Sequence, residues 1–373
     1  MMRKIASINF INYFFRIGIA LVLPLYMIEK GVSLESIGFI LSVTPFFMLT
    51  IRGVAAIASE AMGARIFFIL QGISQVVASF IYSISNTPFL FGIGKMFEGT
   101  TQSFFWAVDR TAIFEDARIN HKNRSAASVR MLIMRLFGGI IGIFTAAVII
   151  TSFSFDYFFF ILMALGVATL VLSFMLRDTT HHKITIAKVK KLAATNKFWK
   201  AGIGLGLNVA AGSVLFFFLI PIFGNLVMKL DYMMIGGIMA LFYAAIALGD
   251  VLAEKMKFKQ EKLMWIQILG ILFVALVPFY TDNEIILLLL LLSGISFGVS
   301  AAMFERVVSK TVGTSQYIST NIAILHIPVR FIEFLALFSA GIIYHGLGAH
   351  SLFFIVAAMF GISVIMFKFY LKN

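Results

Sequence analysis

Six ionisable side chains lie inside long apolar stretches of this sequence, and each is a candidate for chemistry. They are Arg16, Lys95, Glu98, Arg135, Arg330 and Glu333. On insertion scales, a charged residue at the centre of a membrane costs about 2.5–3.5 kcal/mol, so such residues are by default functional candidates. A buried arginine can bind a carboxylate or phosphate, and a buried carboxylate can take up and release protons. The sequence therefore predicts anion-binding or proton-transfer chemistry in an apolar medium.

The spacing of these residues separates paired charges from single ones. Glu98 and Glu333 each follow a basic residue by three positions, so each pair can meet on one face of a helix. Arg16 and Arg135 have no acid at that spacing. We therefore expect two surplus positive charges in the interior, which require a water-filled cavity, an ion pair with another helix or an anionic ligand.

Helical spacing also groups the charges with other polar side chains. One stripe holds Asn9, Asn12 and Arg16; a second holds Lys95, Glu98, Gln102 and Trp106; a third holds His326, Arg330 and Glu333. The predicted proton-coupling residues are Glu98, Glu333 and His326. For His326, a neutral ring hydrogen-bonded between helices is favoured over a relay role.

The chain repeats its landmark residues at a nearly constant distance. The matching pairs are Asn12 and Asn208, Pro24 and Pro221, Glu60 and Glu254, Phe114 and Phe304, Glu115 and Glu305, and Arg135 and Arg330. Their separations lie between 190 and 197 residues. Duplicated helical halves are how many secondary transporters form a site between two moving units. We expect the same arrangement here.

Arg16 breaks this symmetry, because the corresponding place in the second half holds Gly212 or Ser213. A charge present in only one half is better explained by an asymmetric ligand than by a scaffold. Arg135 is matched by Arg330, which favours a shared structural role for that pair. We therefore expect Arg16 to bind a carboxylate or phosphate through its guanidinium fork.

Composition excludes a soluble globular protein, because 61% of the residues are hydrophobic and only 13% are charged. The net charge of +13 is dispersed in short segments between apolar runs, so it indicates membrane topology rather than nucleic-acid binding. The chain has no cysteine, which excludes disulfides and thiolate metal sites. The basic N-terminus is followed by a long apolar run that contains Arg16, and we expect a retained first span rather than a signal peptide.

Twelve apolar stretches approach the roughly 20 residues that a helix needs to cross the hydrocarbon. They are 5–27, 36–58, 66–84, 88–107, 127–151 and 157–176 in the first half, and 200–222, 232–252, 263–280, 285–304, 318–343 and 350–369 in the second. The runs are continuous rather than alternating, which favours helices over a barrel. The predicted fold is an all-α membrane protein with twelve transmembrane helices in two pseudo-symmetric six-helix bundles.

The distribution of basic residues predicts the orientation of the chain. With a cytoplasmic N-terminus, most of the 30 lysines and arginines fall on the cytoplasmic side, and only Lys30 and Lys229 fall outside. We therefore expect a multi-pass protein of the cell membrane with both termini in the cytoplasm. The predicted domains are an N-terminal bundle at 1–177, a basic linker at 178–199 and a C-terminal bundle at 200–373. For the linker, contact with anionic lipid is favoured over a metal site at its adjacent histidines.

Two loops and one span resemble motifs of the major facilitator superfamily. Residues 56–65 resemble its Gly-x-Leu-Ala-Asp-Arg-x-Gly-Arg-Arg signature through Glu60, Gly63 and Arg65, although the first glycine and two arginines are absent. Residues 250–255 are a second, partial copy. Residues 95–99 are similar to its Arg-x-x-Gln-Gly motif, with lysine and glutamate as substitutes. The motifs stand at the matching spans of the duplicated chain, so the resemblance covers its whole length.

The resemblance implies which residues meet the substrate and which form gates. In that superfamily spans 1, 4, 7 and 10 line the central pathway, which gives the predicted substrate-binding residues Asn12, Arg16, Lys95, Gln102, Trp106 and Asn208. Small residues beside the signature let helices approach closely, and its acid can meet cations or a helix N-terminus. The predicted gating residues are Glu60, Arg65, Glu115, Glu254 and Glu305. An exporter element is only partly matched at 138–142, where close glycine packing is the favoured interpretation.

These observations predict a secondary active transporter that works by alternating access. Arg16 favours an anionic organic solute. Proton coupling through a buried acid stays open. The 42 phenylalanines keep a proton-driven multidrug antiporter open as well. A non-transporting sensor on the same scaffold is a third hypothesis. An enzyme is not expected, because the chain has no His-Glu-x-x-His, Gly-x-Ser-x-Gly or Walker motif. We expect no cofactor, a small-molecule substrate, a proton or counter-ion, lipid contact and a functional monomer.

Overall fold

The computed structural model describes residues 2–119, 124–177, 196–255, 260–280, 282–312 and 318–372, and no strand occurs within these ranges. Side chains are described there except at 60, 110–111, 114–119, 124–129, 196–197, 255, 260–261, 312, 318–319 and 371–372. The predicted all-α fold is confirmed for this part of the chain. Most of the predicted linker, with His181 and His182, lies outside the described residues.

The regular structure consists of long helices. Helices α1 to α6 span Met2–Glu29, Leu34–Met62, Ala64–Ser83, Pro88–Ile119, Arg124–Ser152 and Phe155–Phe174. Helices α7 to α12 span Asn196–Ser213, Ile220–Leu226, Tyr232–Lys255, Gln260–Leu276, Asn283–Val312 and Ile318–Lys372. A π-helix at Val214–Leu219 joins α7 to α8, and a 3₁₀ turn at Val277–Phe279 follows α10.

Ten helical stretches of the described chain are long and apolar enough to cross a membrane. One of them runs from α7 through the π-turn into α8, at Phe198–Leu226, and another covers Thr320–Tyr370 of α12. Helix α4 is not among the ten, and it carries Lys95, Glu98 and Asp109. A multi-pass membrane protein follows from these helices, while the number twelve stays a prediction.

Two compact units divide the chain. The first consists of Met1–Ile19, Val43–Thr195 and Thr314–Ile324, and the second of Ala20–Ser42, Asn196–Gly313 and Leu325–Asn373. In the first unit α3 packs against α4 and α6, and in the second unit α11 packs against α9 and α10. The two predicted six-helix bundles, with their boundaries at 177 and 200, stay a prediction.

Glycines allow close helix packing within each unit. In the first unit, a Cβ atom at Gly142 of α5 would lie 2.6 Å from the carbonyl oxygen of Phe14 in α1, and one at Gly138 would overlap the carbonyl of Phe10. In the second unit, Gly249 of α9 and Gly298 of α11 each face the other helix's backbone in the same way. The predicted packing role of the glycines at 138–142 is confirmed, because side chains there would push α1 and α5 apart.

Gly63 and Gly348 hold backbone conformations that residues other than glycine rarely adopt. Gly63 has φ 84° in the one-residue break between α2 and α3, and it is the glycine that matched the signature motif. Gly348 has φ 78° and ψ 172° inside α12, which departs from helical geometry at this point. Because glycine has no Cβ, it adopts positive φ without steric cost. These positions allow the chain to change direction between consecutive helical segments.

Candidate functional site

A buried ion pair lies in the first unit, on the face of α4 that meets α3, and both oxygens of its carboxylate accept hydrogen bonds. Lys95 Nζ donates to both carboxylate oxygens of Glu98 at 2.9 Å, and both side chains are 4% exposed. The Tyr82 hydroxyl donates to Glu98 Oε2 at 2.7 Å, and the Thr44 hydroxyl donates to Oε1 at 3.3 Å. The i,i+3 pair predicted from spacing is therefore present. It also ties α4 to α2 and α3, through partners that the sequence pattern does not single out.

We expect Tyr82→Phe to lower the thermal stability of the protein, because it removes a buried donor from a charged carboxylate. Hydrogen bonds to charged groups contribute about 1.5–3 kcal/mol. Tyr344→Phe is the matched control, because the buried Tyr344 hydroxyl has no hydrogen-bond partner in the described part of the chain. Thermal unfolding in detergent should give a lower Tm for the first variant and an unchanged or higher Tm for the second. Equal changes in both would contradict the role of Tyr82.

A second buried ion pair corrects the expected surplus of positive charge. Arg135 of α5 pairs with Asp109 of α4, whose side chain is 0% exposed. Asn9 of α1 joins both residues, since it accepts from Arg135 Nε and donates to Asp109 Oδ1, each at 2.7 Å. Of the three possibilities left open for Arg135, the structure therefore supports an ion pair with another helix. The sequence pattern did not indicate this partner, because α4 remains helical to Ile119 and carries Asp109 beyond the predicted span at 88–107.

Aromatic rings surround the Arg135 guanidinium. Its carbon lies 5.1 Å from the centroid of Trp106 and 5.7 Å from that of Tyr13. A second cation, Arg52 of α2, lies 6.0 Å from the same Trp106 ring and is 4% exposed. Cation–π contacts of this kind stabilise a cation that has left water. Our sequence reasoning missed Arg52, which lies within the predicted span at 36–58 but was counted among the basic residues on the cytoplasmic side.

Four buried amide side chains lie on α1, α3 and α4 of the first unit. We call this group the amide layer; its members are Asn12 of α1, Gln71 and Gln75 of α3, and Gln102 of α4. Gln71 Nε2 and Gln102 Nε2 both donate to Asn12 Oδ1 at 3.2 Å. The structure thus brings together two of the predicted substrate-binding residues, Asn12 and Gln102. Arg16 is half-buried and follows Asn12 by one turn of α1.

The second unit holds a separate polar cluster at the end of α7. Ser213 donates to Glu333 Oε1 at 2.6 Å, and Arg330 pairs with the other oxygen of Glu333. The spacing-based prediction of the Arg330 and Glu333 pair is therefore correct. The π-turn begins at the residue after Ser213. Single π-turns inside α-helices are frequent at functional sites.

The remaining predicted residues of the second unit lie near this cluster in sequence. Asn208 donates to the Ser300 hydroxyl at 2.5 Å and thereby joins α7 to α11. The His326 ring is buried, with its centroid 5.7 Å from that of Phe304 at a steep angle. Substrate binding by Asn208 and proton coupling by His326 stay predictions, as do the roles assigned to the residues of the first unit.

The structure describes the side chains of three of the five predicted gating residues. The side chains of Glu60 and Glu115 lie outside the described residues. Arg65 donates to the carbonyl oxygen of Phe174 at 2.9 Å and so connects the start of α3 to the end of α6. Glu254 and Glu305 are both exposed. In the same region Arg306 donates to the carbonyl of Ala253 at 3.4 Å, which connects α9 to α11.

A metal centre was not expected, and within the described ranges no three histidine or acidic side chains approach closely enough to hold a metal ion. The chemistry that the described side chains offer is hydrogen bonding by amides and hydroxyls, together with paired charges. Such groups bind polar solutes and pass protons.

Comparison with known proteins gives a family and a fold. The family model described as Major Facilitator Superfamily matches residues 5–324. A solved structure of the nucleoside transporter NupG is similar, with a TM-score of 0.76, 13% identity and coverage of 100% of this chain and 99% of that chain. An aspartate-to-alanine mutant of that transporter gives a TM-score of 0.72, 14% identity and 99% coverage of both chains.

No curated protein matches the sequence. At such low identities the likeness to solved structures shows the fold alone, whereas the family model covers most of the chain. Membership in a family of transporters indicates a transporter rather than an enzyme. Because the family model matches residues 5–324, well over half of the sequence, this chain belongs to the Major Facilitator Superfamily.

Proposed function

We propose that this protein is a secondary active transporter that moves a small polar organic solute across the cell membrane by alternating access. The observation that carries the proposal is the polar interior of each unit, with amides, hydroxyls and ion pairs buried on helices that are otherwise apolar. Polar groups inside a membrane are costly and face the interior of a bundle or an aqueous path. The family match supports the same conclusion.

The proposed topology has twelve spans in two bundles, with both termini in the cytoplasm. The Thr320–Tyr370 stretch of 51 residues supports two spans rather than one. At 1.5 Å per residue such a helix would be about 77 Å long, more than twice the hydrocarbon thickness of about 30 Å. Gly348 provides the break between these two spans. Helix α4 supplies the remaining one, with its charges paired.

For the solute, we propose a small organic anion bound by Arg16. The proposal rests on the position of Arg16 within an apolar span and on the lack of a matching arginine in the second half. Arg135 no longer adds to the argument, because it is paired with Asp109. For this reason an uncharged solute is a second candidate, and the fold shared with a nucleoside transporter favours a nucleoside. Proton coupling is proposed for either solute.

Flux into proteoliposomes that contain the purified protein tests the proposal. An imposed pH gradient and a trapped pH dye would be combined with small organic anions, nucleosides and lipophilic cationic drugs as probes. We expect anion uptake that falls at least about tenfold in Arg16→Gln, because the neutral amide loses the charge-assisted hydrogen bonds. Arg177→Gln is the matched control, since Arg177 is exposed after α6.

Each alternative gives a different result in this assay. Nucleoside uptake that Arg16→Gln leaves unchanged would favour the second candidate and contradict the anion. Collapse of the pH gradient by cationic drugs alone would indicate a multidrug antiporter. Saturable binding of a probe without any flux would indicate a sensor and would contradict transport altogether.

A further inference from the structure

The amide layer contains more hydrogen-bonding groups than it uses. Its four side chains are at most 1% exposed. Five of their polar atoms have no hydrogen-bond partner among the described residues: Asn12 Nδ2, Gln71 Oε1, Gln75 Nε2, Gln75 Oε1 and Gln102 Oε1. A buried polar group without a partner is strongly unfavourable. Five such atoms on neighbouring helices therefore indicate a ligand with hydrogen bonds to offer.

The chemistry of the five atoms identifies this ligand. Two are amide donors and three are carbonyl acceptors, and the group carries no net charge. A metal cation would satisfy the acceptors and leave the donors unpaired, whereas an anion would do the reverse. Water both donates and accepts, and buried waters with two to four polar partners are a regular part of protein interiors. The amide layer is thus suited to internal water.

The position of the amide layer gives this water a function. On α4, Gln102 lies one turn after Glu98 and two turns before Asp109, on the stripe that carries all three. On α3, Gln75 lies between Gln71 and Tyr82, and Tyr82 is bonded to Glu98. The two ion pairs are about 16 Å apart along α4, at 1.5 Å per residue. Along α4, Gln102 of the amide layer therefore lies between the two ion pairs.

We propose that the amide layer binds internal water and that this water joins the ion pairs of Glu98 and Asp109 into one proton path within the first unit. The coupling role rests on the proposed function, whereas the water site does not. A proton on Asp109 passes to the adjoining water, which gives another of its protons onward, until Glu98 is protonated. One O–H bond breaks for each that forms, the waters are regenerated, Asp109 again pairs with Arg135, and Lys95 loses its charged partner.

The first test measures the water directly. In a high-resolution structure of the full chain, we expect density for water at hydrogen-bond distance from Gln75 and Gln102. In thermal unfolding, Gln75→Leu should lower the Tm by about 2–4 °C, because the displaced water leaves its other amide partners unpaired. Gln267→Leu is the matched control. Gln267 of α10 is fully buried, and both of its amide atoms lack a hydrogen-bond partner in the described part of the chain. It does not belong to the amide layer.

The control should leave the Tm unchanged or raise it, because Gln267 has no hydrogen bond to another amide in the described part of the chain. A Tm that rises in Gln75→Leu, or an amide layer without water density, would overturn the water site. Gln75→Met, which is close to glutamine in length, replaces the leucine variant if that variant does not fold.

The second test measures the connection without a transport assay. With Trp199 and Trp265 replaced by phenylalanine, Trp106 is the only one of the 3 tryptophans left, and it reports on the Asp109 pair through Arg135. After a rapid pH jump, the relaxation of its fluorescence follows the exchange of protons at this pair. We expect Glu98→Gln and Gln75→Met each to slow this relaxation severalfold, because each interrupts the path, whereas Gln267→Leu should leave the rate unchanged. A relaxation rate that neither Glu98→Gln nor Gln75→Met alters would overturn the path. Since neither test involves solute flux, their failure is distinguishable from failure of the proposed transport.

Discussion

Asp109→Asn lowers the free energy of unfolding by about 3–5 kcal/mol, the cost of removing one partner from a buried ion pair. The Asp109 side chain is 0% exposed and the Arg135 side chain 13%, so solvent cannot replace the lost carboxylate. Asparagine keeps the shape of the side chain and can still meet Asn9, but it removes the negative charge that Asp109 places beside the guanidinium. Thermal unfolding of the purified protein in detergent should show the largest fall in Tm of any single polar substitution in the first unit.

Two further variants isolate the cause of this effect. Asp156→Asn makes the same chemical change at an exposed position in the first turn of α6, and we expect no measurable change in Tm. Asp109→Asn combined with Arg135→Gln removes both charges and should recover much of the loss. If the double variant is as unstable as the sum of the two single variants, the two residues do not act as a pair.

Gly298→Val separates α9 from α11 and destabilises the second unit by about 3 kcal/mol or more. A Cβ atom at Gly298 would overlap the carbonyl oxygen of Ile246 and would lie 2.8 Å from the backbone nitrogen of Asp250. Both obstacles belong to the backbone of α9, so no side-chain rotation relieves them. We expect little folded protein by size-exclusion chromatography and a clear fall in Tm for the remainder.

Gly237→Ala is the control for this substitution. Gly237 lies on α9, and a Cβ atom there would have nothing within 4 Å. Alanine favours a helix over glycine by about 1 kcal/mol, so this variant should be neutral or slightly more stable. A Gly298→Val protein with an unchanged Tm would show that the two helices do not approach as closely as the structure describes.

The fold was largely predictable, because a helix in lipid has to satisfy its own backbone and this produces long apolar runs. The ends of the helices were less predictable. Helices α2 and α4 continue to Met62 and Ile119, beyond the apolar runs at 36–58 and 88–107. Once the backbone leaves the hydrocarbon, helical hydrogen bonds no longer require apolar side chains. Hydropathy therefore marks the membrane-embedded part of a helix and not its ends.

The candidate site was predictable where partners share a helix and unpredictable where they do not. Spacing alone gave the pair of Lys95 and Glu98, because three positions on one helix bring side chains together. The pair of Arg135 and Asp109 depends on which faces of α4 and α5 meet, and one sequence does not contain this information. A signal did exist, since Asp109 follows Gln102 by seven positions and so continues the polar stripe of α4.

The π-turn explains a small irregularity in the internal repeat. The distance between matching residues is 196 for Asn12 and Asn208, and 197 for Pro24 and Pro221. Helix α1 runs without a π-turn between its two landmarks, whereas the second copy contains one at Val214–Leu219. A π-turn closes each hydrogen bond one residue later than an α-turn and so takes up one additional residue. The second copy thus accommodates a single-residue insertion within one turn, and the landmarks on both sides keep their places around the helix axis.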